Sequence, residues 1–162
     1  MPTLNVQRLA GTDLAAALSA HAFPGAIPTV AAEWRRVPDY QADDLGTLKV
    51  SVTPGTLEIN QRDQPTREMD FFYPSLGIVI AKSISTDAEV DDLDELVQHI
   101  VDAIRSYHVG LESFDNSTDW LEIAVPVPFD REMLNERKVF LAEINVVWMV
   151  GIEKVAAPAP AQ

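Results

Sequence analysis

The sequence predicts an α+β domain: about four strands in a largely antiparallel sheet, one long and one short helix packed on it, and a long β-hairpin arm. Three observations carry that prediction. From Thr86 to Tyr107 the apolar residues Val90, Leu93, Val97, Ile100, Ile104 and Tyr107 fall in steps of three and four, the period of a helix with one buried stripe, which Leu96 and Val101 widen. Around it, apolar residues alternate with polar ones at Leu48, Val50 and Val52 and again from Phe140 to Val150, the period of half-buried strands. The segments run helix, strand, strand, helix, strand, strand, which favours an antiparallel sheet and leaves strand order open.

Each element has its own signal. Thr12 predicts the cap of a short, Ala-rich helix from Asp13 to about His21, with Leu14, Ala17 and Leu18 on one face and Pro24 and Gly25 beyond its end. That helix has little to bury. Ile27 to Leu45 carries Pro28 and Pro38 and predicts an extended connection or an edge strand. The first firm strand ends at Pro54 and Gly55, and the second runs from about Met69 to Ser83, dense in Phe71, Phe72, Tyr73, Leu76, Ile78, Val79 and Ile80. Between them, Gly55 to Glu68 is too long for a tight turn and mostly polar. Leu57 and Ile59 alternate with Glu58 and Asn60, so the arm prolongs the hairpin and offers itself to another subunit.

Thr86 and Glu89 form a capping box for the long helix, and Asp87, Glu89, Asp91, Asp92, Asp94 and Glu95 crowd its positive end. Gly110 to Asp119 predicts a polar loop, Leu121 to Val125 a strand stopped by Pro126 and Pro128, and Glu132 to Asn135 a helical turn. In the last strand Phe140, Ala142, Ile144, Val146, Trp148 and Val150 share one face, which should pack on the central helix. Residues 1–155 are expected to form one domain and 156–162 a free Ala/Pro tail.

Composition narrows the function classes. Twelve basic against twenty-five acidic residues leave a net charge of −13, which argues against a grip on nucleic-acid phosphates or on an anionic membrane. With no cysteine there is no disulfide and no thiol chemistry. No apolar run is long enough to span a bilayer, and the first residues lack the charge-then-apolar pattern of a signal peptide.

Candidate chemistry is sparse. The acids at 87–95 sit in helical register, unlike a calcium loop, and fit a solvated helix face. His21, His99 and His108 lack zinc-helix spacing, and no phosphate loop, dinucleotide fingerprint or nucleophile elbow occurs. No catalytic, cofactor or metal residue is therefore assigned. Trp148 is expected in the core. Trp34 and Trp120 are either interface anchors or local plugs. Arg62 and Arg67 on the arm either pair with a neighbouring subunit's acids or stay solvated. An enzyme or ligand-binding domain would have to use Glu143 or Asn145 with His99 or His108, and nothing in the spacing makes them converge.

Taken in order, several segments resemble one family. Asp44 to Pro54 reads D-L-x-x-L-x-V-S-V-T-P, followed by Leu57-Glu58-Ile59 and Arg62, the acidic helix Asp87 to Arg105, and Pro128-Phe129-Asp130 with Leu134, Arg137 and Phe140. Together they are similar to the tail terminator (tail completion) proteins encoded in the head-to-tail region of tailed bacteriophages. The resemblance spans roughly Leu45 to Val150 through diffuse motifs. It implies a subunit of a hexameric ring on the head-proximal end of the tail tube, which stops tube growth and joins the tail to the head. It also implies a virion protein assembled in the host cytoplasm. Its partners would be its own copies, the tail tube protein, a neck or adaptor protein and, in a contractile tail, the sheath. DNA would only pass through the channel, with no sequence-specific contact, and no membrane, cofactor or catalytic residue is implied. Leu57, Ile59, Arg62, Arg67, Trp34 and Trp120 are the candidate subunit or partner contacts. Other neck rings, the head-tail adaptor and the stopper, would suit the same arm.

Overall fold

The computed structural model describes residues 5–37, 40–58, 69–114, 118–127 and 130–153. In chain order the elements are α1 (Val6–Ala20), β1 (Ala32–Trp34), β2 (Lys49–Glu58), β3 (Met69–Ser83), α2 (Asp87–Arg105), β4 (Thr118–Val127), α3 (Arg131–Arg137) and β5 (Val139–Glu153), with short 3₁₀ turns at Ala42–Gly46 and Glu112–Phe114. The five strands form one sheet in the order β1-β2-β3-β5-β4. Every pairing is antiparallel except that of β1 with β2, which is parallel and three residues long. The α+β class holds, with one short strand and one short helix more than the sequence predicts.

The core lies between the sheet and the two longer helices. Phe140, Ala142, Ile144, Val146, Trp148 and Val150 of β5, with Leu76, Ile78 and Ile80 of β3, are buried together with Leu93, Leu96, Val97, Ile100 and Ile104 of α2. The period-two face of the last strand therefore meets the period-3.6 stripe of the helix, as expected. Each fully buried Ile or Leu there contributes roughly 1.5–3 kcal/mol. On the other sheet face Leu45, Ala81 and Val139 pack with Tyr40, Met133 and Leu141, the Tyr40 hydroxyl is hydrogen-bonded to the buried Ser51, and Tyr73 and Val79 are buried as well.

Several expected boundaries move, each for a physical reason. α1 starts seven residues earlier than Asp13, capped by the Asn5 side chain accepting from the Arg8 N–H at 2.9 Å. Thr12 lies inside the helix with its hydroxyl donating to the Arg8 carbonyl at 2.8 Å. Far from having little to bury, α1 sinks Val6, Ala10, Gly11, Leu14, Ala15 and Leu18. β2 passes through Pro54 and Gly55 to Glu58, with a register shift between Pro54 and Leu57. β1 has already ended at that level, so the missing proline N–H removes no ladder bond on that side.

The central helix ends at Arg105, with Tyr107 in the left-handed conformation (φ 60°) and the His108 and Val109 N–H groups bonded back to the Ala103 carbonyl at 3.0 and 3.2 Å. Tyr107 thus leaves the buried stripe and is 66% exposed. The Thr86 side chain caps the Glu89 N–H as expected, while the Glu89 carboxylate is taken by the Lys82 ammonium (2.9 Å) and the Ser85 hydroxyl (2.7 Å). Those two hydrogen bonds, Lys82 first, hold Glu89 below the usual carboxylate range.

The 110–119 segment is less polar in place than in sequence. Leu111 and Phe114 are buried, and β4 begins at Thr118. β4 also continues through Pro126 to Val127, and α3 spans two turns where one was expected. The 156–162 tail lies outside the described residues.

Candidate functional site

Two exposed regions at opposite ends of the sheet stand out once the core is accounted for. The first is the base of the arm. Along β2, Val50, Ser51 and Val52 are buried, Thr53 and Pro54 are half-buried, and Gly55 to Glu58 are exposed. Leu57 stands 41% exposed on this stretch. Gly55 is required by close approach: a Cβ there would lie 2.8 Å from the Ser75 hydroxyl and 3.0 Å from its carbonyl oxygen. The Gln7 side-chain amide of α1 donates to the Gly55 carbonyl at 2.7 Å and, more weakly, to the Ser75 carbonyl at 3.4 Å, pinning the root of the hairpin to the helix layer.

The second region surrounds β4, the outermost strand on the other side. Leu121 is 49% exposed, because a bulge between Trp120 and Glu122 shifts the strand out of the simple alternation the sequence suggests. Beside it, the Tyr107 hydroxyl donates to Asp119 Oδ1 at 2.9 Å, and its ring lies 6.5 Å from that of Trp120. The hydrogen bond to Asp119 is the main reason the Tyr107 phenol is raised above its ordinary pKa. An open groove of about 400 Å³ runs alongside, lined by residues 107–112, Thr118, Asp119 and Trp148. Among the described residues the exposed large hydrophobic side chains are Val37, Leu57, Tyr107 and Leu121, two on each side of the sheet.

The sequence-predicted contact residues fall into three groups. Leu57 is on the surface, as a contact would need. Trp34 is half-buried with its ring where a side chain on Gly11 would be, and Trp120 is half-buried against the core, its indole N–H without a hydrogen-bond partner among the described residues. Both tryptophans thus serve the packing of this domain. Ile59, Arg62 and Arg67 lie outside the described residues. The exposed apolar positions that sequence reasoning missed are Leu121 and Tyr107. The first was hidden by the bulge. The second was hidden because the left-handed turn that ends α2 falls on a tyrosine where glycine would have signalled it.

The ligand-site alternative finds no common pocket. Glu143 and Asn145 lie on the sheet face opposite Ile144, while His99 belongs to α2 on the Ile144 side and bonds Glu95 at 3.2 Å. His108 stacks on His21 with ring centroids 6.0 Å apart. The sheet lies between Glu143 and Asn145 on one face and His99 on the other. Among the described residues no three or more His, Asp or Glu side chains are grouped to hold a metal ion, and no helix is long and apolar enough to cross a membrane. Arg35 bonds Glu33 at 3.0 Å and lies 5.2 Å from the centre of the Tyr40 ring, a surface pairing that raises the guanidinium pKa further. No family model matches the chain, and neither does any curated protein.

Proposed function

We propose that this chain is a structural protein of a tailed-phage virion, forming a hexameric ring at the head-proximal end of the tail tube that ends tube growth and joins tail to head. The observation that supports the proposal is the exposed hairpin root: β2 continues for six residues past the end of β1, and its last four residues are exposed. A strand that outruns the layer covering it is costly to expose without a purpose, and a neighbouring subunit supplies one. A cyclic ring also needs two different patches on each subunit, and the exposed apolar residues fall on two opposite sides of the sheet.

The acidic balance fits the same role. A ring with −13 per subunit repels DNA passing through its channel instead of binding it. On this proposal the tail tube protein meets one face and a neck or adaptor protein the other, with the sheath alongside in a contractile tail. The work is done by contact surfaces, without cofactor or catalytic residue.

The test is electron microscopy of particles made by a phage lacking the gene. Overlong tails beside unjoined filled heads are the expected result. Filled heads beside free tails of normal length would move the protein to the adaptor or stopper position. Normal, joined virions would remove it from the neck altogether.

A further inference from the structure

The two exposed sheet edges overlap in height and run in opposite directions. On one side β1 pairs with β2 only at Val50 to Val52, so from Thr53 to Glu58 the outer edge of β2 has no strand beside it among the described residues. On the other side β4 is the outermost strand for all of its ten residues.

Their heights follow from the register. Thr53 is opposite Gly77, Gly77 opposite Asn145, and Asn145 opposite Ala124, so these four residues form one row across the sheet. Towards the arm, Leu57 is opposite Pro74, which lies between the Phe72–Val150 and Ser75–Val147 pairs and is therefore level with Trp148 and Met149. The β4 partners of those two residues are Trp120 and Asp119. Leu57 and Leu121, both exposed, thus stand at nearly the same level on opposite edges of one sheet.

Direction is equally determined. Three successive antiparallel pairings separate β2 from β4, so the two strands run in opposite senses. A second copy placed sideways would lay its β2 edge against this β4 as an antiparallel ladder. Arg35 and Arg36 follow β1 directly and Glu122 lies on β4, with Arg35 already bonded to Glu33. Pro54 on one edge and the bulges with Pro126 on the other confine the ladder to a short stretch, which guards both edges against unspecific pairing.

We propose that the occupant of the β4 edge is the Thr53–Glu58 edge of a second copy of this chain, joined head to tail with Leu57 against Leu121. This joint rests on the ring proposed above: a joint without rise closes into a ring when its rotation divides a full turn.

The chain contains no cysteine, so Leu57→Cys/Leu121→Cys introduces the only two thiols. Both positions are exposed, and folding of the variants is checked by circular dichroism. The double variant treated with a short bismaleimide should give a ladder of covalent oligomers on a denaturing gel, with the single variants remaining monomeric. A wild-type chain that is oligomeric by light scattering, but whose double variant gives no ladder, overturns the joint and leaves the ring standing. Dimers from either single variant mean a two-fold contact and overturn it as well. A chain that stays monomeric at every concentration and gives no ladder overturns the joint together with any self-assembling ring.

Discussion

Gly11 sits in the middle of α1, where glycine costs roughly 1 kcal/mol relative to alanine. The reason it is there is Trp34: a Cβ on residue 11 would lie 2.0 Å from Cζ3 of that indole, inside any tolerable contact. Helix propensity and packing therefore pull in opposite directions, and the magnitudes favour packing, since overfilling a core usually costs about 1–3 kcal/mol. Gly11→Ala is expected to lower stability by about that amount in chemical denaturation followed by tryptophan fluorescence. In a Trp34→Val background the same substitution should become neutral or stabilising by up to about 1 kcal/mol. Equal effects in both backgrounds would mean that the indole is not what holds residue 11 to glycine. The same contact explains why Trp34 was ambiguous in the sequence: a lone tryptophan beside Glu33 and Arg35 carries no periodic context, and its partner is a glycine, which leaves no apolar signal. Trp148, by contrast, was legible because five alternating apolar neighbours share its face.

At the level of elements, legibility followed periodicity. α2 and β5 were visible because each carries five or more apolar residues in one unbroken period, and β3 was visible because both of its faces are largely buried along its length. α1 was shortened because its buried face is built partly of Ala10, Gly11 and Ala15, residues too small to register as a stripe, while Thr12 imitates a cap. β1 is three residues long and parallel, below the length at which alternation can be read. The course of β2 was cut at Pro54 because proline stops an interior strand, whereas here it lies where the strand has become an edge. The candidate site suffered most. Its outer residues depend on a bulge and on a helix end that follow from tertiary packing, so of the four exposed large hydrophobic residues among those described only Leu57 was placed on the surface from sequence. The arm nevertheless invites a direct test. Gly55 to Glu58 are exposed, so Leu57→Asp should leave the melting temperature within a few degrees of wild type while weakening self-association at least tenfold in sedimentation. Loss of the cooperative melt would instead make the hairpin part of the folding unit.

For the whole molecule the decisive quantity is the axial offset between the two edges. An edge-to-edge joint repeats the same displacement at every copy, so an offset of one residue pair, about 3.4 Å, would accumulate to about 20 Å over six subunits and open the ring into a helix. Within one copy the two edges are level, as a joint without rise requires: Thr53 and Ala124 share one row, and Leu57 stands level with Trp120 and Asp119. Two exposed edges of opposite direction would otherwise be an invitation to endless sheet growth, which is how unprotected edges fail. In the proposed ring, closure would remove both edges from solvent at once and leave no end to extend. The expected behaviour is therefore saturable: average mass by light scattering should rise with concentration and then hold at a fixed multiple of 17.8 kDa, with closed particles in negative stain. Mass that keeps climbing, with filaments on the grid, would mean that the joint carries a rise and that closure is imposed from outside, by the end of the tube on which the subunits assemble.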